Sequence, residues 1–87
     1  MPHLEELQLQ EKINKVKKQI QIGGIYRHYK SGELYRVLDL GIMEGTDKVG
    51  VIYEAQNGEK IVWVRDFDTF NEKVLYEGKE VSRFQLV

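Results

Sequence analysis

The chain has 87 residues, 41% of them hydrophobic and 31% charged, with a net charge of −1 and no cysteine. That is the composition of one folded domain stabilised by packing, and it excludes a disulfide framework, a thiolate zinc site and a cysteine nucleophile. The charge is distributed as +1 over residues 1–22, +1 over 23–40 and −3 over 41–87, so there is no broad positive field for non-specific phosphate binding, though a local basic patch is compatible with it.

The chain opens Met-Pro-His-Leu-Glu-Glu, which lacks the basic-then-apolar order of a signal peptide, and no apolar run approaches the roughly 20 residues of a membrane-spanning helix. A cytoplasmic protein without membrane contact is the expectation. Leu9, Ile13, Val16 and Ile20 recur in steps of four, three and four, with Leu4 and Leu7 ahead of them, which predicts an amphipathic helix over residues 4–20. Its glutamates gather at the front and its lysines at the back, as the helix dipole favours, and Gly23-Gly24 ends it. The apolar stripe has two uses, docking on the rest of the chain or pairing with a second copy as a homodimer.

After the glycines the texture changes to short runs rich in Tyr, Val, Ile and Trp, separated by turn residues. Strands are expected near 24–29, 34–40, 49–55, 60–65, 73–76 and 81–86. Lys30-Ser31-Gly32-Glu33 makes a tight connection, Asn57-Gly58 is a strong hairpin signal, and Glu77-Gly78-Lys79 makes a third turn. Residues 41–47 read as a loop joining the two better hairpins, and 66–70 as one helical turn between strands. The architecture that follows is mainly β: residues 1–22 as an N-terminal helix, then residues 23–87 as a small, SH3-like curled antiparallel barrel of five to six short strands.

Gly24-Ile25-Tyr26-Arg27-His28-Tyr29-Lys30, Tyr35-Arg36-Val37-Leu38, Tyr53-Glu54-Ala55, Trp63-Val64-Arg65, Phe70 and Ser82-Arg83-Phe84 appear in that order. This series resembles a small bacterial family of uncharacterised domains with the pattern GxYRHYK, YxVL, VxYE, WVRP, MF and PRF. The resemblance covers about residues 23–87 and implies no substrate, cofactor or catalytic residue, because the family's function is unknown. Asp66 and Ser82 stand where the pattern has proline, and the loop after Leu40 lacks the pattern's histidine and Glu-Thr.

Catalytic constellations are sparse. Ser31 and Ser82 sit in turn or strand-edge settings, the histidines are His3 and His28 alone, and neither a P-loop nor a dinucleotide glycine fingerprint is present. With so few ligating side chains no metal site and no cofactor is expected; the acidic segments 44–47 and 66–68 read as solvated. The informative set is aromatic and cationic. Strand alternation puts Tyr26 and His28 on one face, and on the fourth strand separates Val62 and Val64, expected in the core, from Trp63 and Arg65, expected toward solvent. Two readings follow. In one, a non-enzymatic binding module uses a groove of Tyr26, His28, Tyr35, Trp63 and Arg65 for a small polar ligand, single-stranded nucleic acid or a peptide. In the other, His28 is a general acid or base beside Glu54, with Arg65 holding an anionic substrate.

Overall fold

The computed structural model describes residues 5–87; the expectations for His3 and Leu4 lie outside them. The helix α1 (Glu6–Lys17) starts where the Glu5 N–H donates to Gln8 Oε1 at 3.3 Å. It ends one turn before the expected Ile20, and the N–H groups of Gln19 and Ile20 still donate to the Val16 carbonyl. Only the rear of the apolar stripe docks: Val16 and Ile20 are buried in the core and Ile13 packs against it, while Leu7 is 76% exposed. Lys12 Nζ donates to the Asp47 carbonyl at 2.8 Å, a polar tie between the helix and the sheet.

Five strands form one antiparallel sheet in the order β4 (Val62–Asp66), β3 (Lys48–Ala55), β2 (Leu34–Met43), β1 (Ile25–His28), β7 (Phe84–Leu86). A second sheet is the hairpin β5 (Lys73–Tyr76) and β6 (Lys79–Ser82), and the helical turn α2 (Phe67–Phe70) stands between β4 and β5. The protein is thus mainly β with one N-terminal helix. Its large sheet is open, with β4 and β7 as edges, so it is not a closed barrel. Strands β1 and β4 lie three positions apart, about 14 Å if the sheet were flat. Side chains from both nevertheless line one cleft, which requires the sheet to curl.

Residues 41–43 are strand rather than loop: Gly41, Ile42 and Met43 pair with Gly50, Val49 and Lys48, and the turn is confined to 44–47. A bulge at Leu38 breaks strict alternation, so that Val37 and Leu40, three residues apart, both reach the core. The expected last strand divides at Arg83. There the Arg83 N–H donates to the Glu72 carbonyl while the Arg83 carbonyl accepts from Tyr29, carrying the chain from the small hairpin into the large sheet. Asp66 caps α2: its carboxylate accepts from the Thr69 N–H at 3.2 Å and the Thr69 hydroxyl at 3.0 Å.

The core is a run of aromatic rings packed on aliphatic side chains. Phe70 and Phe84 stack with centroids 4.3 Å apart, and Tyr53 meets both edge-on at 5.3 and 5.4 Å. Val37 and Val51 are fully buried beneath. Tyr26, expected in the groove, belongs to this core: its ring packs edge-on against Phe70 and its hydroxyl accepts from the Gln21 N–H at 2.9 Å, holding the segment after the helix.

Candidate aromatic cleft

At the end of this core the curled sheet leaves a cleft of about 170 Å³ lined by His28, Tyr35, Tyr53, Trp63, Arg65 and Phe84. Every strand of the large sheet supplies part of the lining, and the register explains why. Tyr53 lies opposite Trp63, Val51 opposite Arg65, and His28 opposite Phe84, and directly opposed residues share a face. Because Val51 and Tyr53 are buried, Trp63 and Arg65 are on the inner face as well. Val62 and Val64 are therefore outside, 50% and 59% exposed, the reverse of the expectation.

The reversal is a one-residue register effect. A two-residue Asn57-Gly58 turn would set Tyr53 opposite Val62; the observed β3–β4 connection runs through residues 56–61, with Gly58 and Lys60 at positive φ, and sets Tyr53 opposite Trp63. One residue of slip moves every side chain of a strand to the other face. The two-residue turn with positive φ at both central residues occurs instead at Glu77-Gly78.

Four expected groove residues, His28, Tyr35, Trp63 and Arg65, come together here, and Tyr26 does not. Tyr53 and Phe84 complete the walls. Their signal was cross-strand position, which requires the register.

His28 is held as a neutral ring. Its Nδ1 accepts from the Lys30 N–H at 3.2 Å, with the Ser31 N–H at 3.4 Å, so the ring proton lies on Nε2. Partial burial lowers its pKa below the usual histidine value, and the positive charges of Arg83 and Arg65 lower it further; the carboxylate that opposes this is Glu33. Glu54, the expected partner, sits on the opposite face of β3, across from Val62. Tyr35 donates its hydroxyl to Glu33 Oε2 at 3.1 Å, and burial together with that bond raises its pKa.

The two arginines differ. Arg83 pairs with Glu72 at 2.7 Å. Arg65 is half-buried and has neither a hydrogen-bond acceptor nor an ion-pair partner among the described residues. Trp63 is 49% exposed and stacks on no other ring among the described residues, whereas the other rings of the cleft each pack against at least one neighbour. No group of three or more His, Asp or Glu converges among these residues in a way that could hold a metal ion. No described helix is long and apolar enough to cross a membrane.

A family profile described as "Protein of unknown function (DUF1653)" matches residues 24–86. The chain is also similar to a protein of that family from Bordetella bronchiseptica, known from a crystal structure. The two are 33% identical, superpose with a TM-score of 0.66, and align over 79% of this chain and 90% of the other. No curated protein matches.

Proposed function

We propose a function from the cleft itself, because the chain belongs to the DUF1653 family, whose function is unknown. The reading is a non-enzymatic recognition module whose cleft takes a planar group carrying a negative charge. The observation that supports it is the uncompensated Arg65 guanidinium, half-buried among aromatic walls with no carboxylate in the lining. A partly desolvated cation without a counter-ion is costly, and a bound anion would relieve that cost. The same charge argues against a cationic ligand, which aromatic walls alone would otherwise suit.

Catalysis has less support. His28 has its Nδ1 occupied by backbone N–H groups, its nearest opposing carboxylate is already bonded to Tyr35, and Glu54 lies on the other face. The test is a pair of fragments of one shape and opposite charge. Benzoate should shift the Trp63 indole and Arg65 side-chain resonances, and benzylammonium should leave them unmoved; the reverse pattern would refute an anion site.

A further inference from the structure

The cleft constrains its occupant beyond charge. Its volume of about 170 Å³ is well under the roughly 300–1,000 Å³ that encloses a drug-sized ligand, so it seats about one ring while the rest of the ligand lies outside. One wall of it belongs to an edge strand, β4, whose Trp63 is half-exposed and stacks on no other ring among the described residues. Two residues further along the same face of β4, roughly 7 Å away, is Arg65.

The polar groups narrow the choice further. Arg65 offers donors only, and the neutral His28 ring, with Nδ1 engaged by the backbone, has its Nε2–H as the remaining polar group. The Tyr35 hydroxyl gives its proton to Glu33 and keeps only acceptor capacity, while the Tyr53 hydroxyl, with no hydrogen bond among the described residues, can donate or accept, so the charged and ring N–H groups of the lining are all donors. A matching ligand is rich in acceptors and has a flat ring next to a single anionic group. A peptide backbone, which brings one N–H donor for each carbonyl, fits that pattern less well.

We infer that the occupant is a nucleotide unit, free or within a single strand, with its base on the indole of Trp63 and its phosphate on the guanidinium of Arg65. This rests on the anion-cleft reading above and specifies its ligand. Stacking supplies most of the affinity and tolerates different bases. With a net charge of −1 and −3 over residues 41–87, the domain adds no extended electrostatic attraction. A single phosphate contact gives a shallow salt dependence, a log–log slope near about −0.7 for a single strand.

The chain has one tryptophan, so its fluorescence reports the cleft directly. The 87-residue chain is titrated with short single-stranded RNA and DNA homopolymers, with free nucleoside monophosphates, and with benzoate, at two salt concentrations. Quenching by an oligonucleotide or a mononucleotide, with the shallow slope and a loss of roughly tenfold or more in Arg65→Gln at unchanged thermal stability, supports the inference. Tighter binding of the homopolymer assigns the source to single strands, and equal or tighter binding of the mononucleotide assigns it to free nucleotide. Binding of benzoate but of no nucleotide overturns the inference and leaves the anion cleft standing. No binding of any probe overturns both. Oligonucleotide binding that Arg65→Gln leaves intact, or whose slope corresponds to several phosphates, also overturns the inference, because it places the contact on surface lysines.

Discussion

The rings lining the cleft divide into those that hold the fold and those available to a ligand, and substitutions should separate them. Phe84 is 7% exposed and packs against four neighbouring rings, so Phe84→Ala should cost about 3–5 kcal/mol in chemical denaturation. Trp63→Ala, at a half-exposed edge position without a stacking partner, should cost much less, about 1 kcal/mol, because there is little packing to lose. Equal losses in the two variants would make Trp63 a core residue and remove it from the site. His28 supplies a pH signature. Its pKa is lowered on folding, so below the unfolded value of about 6.5 the unfolded chain binds more protons. Its contribution is complete above that value and is lost as pH falls toward the folded pKa, when protonating Nδ1 would also oppose the Lys30 and Ser31 N–H groups. His28→Gln should flatten the stability–pH curve below about pH 6.5, measured by urea unfolding.

The elements are uneven in how strongly local chemistry specifies them. In the β5–β6 hairpin, Glu77 has φ 51 and Gly78 φ 79, so a side chain is carried at one left-handed position and glycine at the other. Glu77→Gly should be neutral or stabilising, while Gly78→Val should destabilise by about 1–2 kcal/mol, read as a shift in the unfolding midpoint. The helix α1 offers a second contrast within one apolar stripe. Ile20→Ala should cost about 2–5 kcal/mol and Leu7→Ala should lie within about 0.5 kcal/mol of the parent, because Ile20 is buried against the sheet and Leu7 is exposed. That gradient also bears on self-association, since docking consumes the rear of the stripe that a helix-mediated homodimer would need. We expect a monomer in sedimentation at micromolar concentration; a dimer dissociated by Leu7→Lys would instead show that the front of the helix is an interface.

At the scale of the whole molecule, one open sheet joins the helix, the aromatic core and the cleft. Curling brings β1 and β4, which are not neighbours in the sheet, to the same cleft. The cleft therefore depends on sheet curvature as well as on its own residues. The bulge at Leu38 and the Val37–Tyr53 pairing lie at the centre of that sheet. Deleting Leu38 should remove the bulge with Val37 and Leu40 both still facing the core, since Asp39 and Leu40 already pair with Ile52 and Val51, and by reducing the local twist should weaken the fluorescence response of Trp63 while folding is retained.

Much of this was legible in the sequence, because it depends on local periodicity and turn chemistry: the helix, the six expected strand regions, the helical turn at 66–70 and the mainly β class; the family was legible from the resemblance over residues 23–87. The membership of the cleft was largely legible too, since His28, Tyr35, Trp63 and Arg65 are the residue types that an aromatic and cationic site requires. Tertiary structure decided the faces. Whether Trp63 or Val62 faces inward depends on one residue in the β3–β4 connection, and whether Tyr26 lines the cleft or the core depends on where Phe70 and the segment after the helix come to rest. Side-chain alternation divides a strand into two sets, but only its pairing with a neighbouring strand, itself held by the packed core, determines which set is buried.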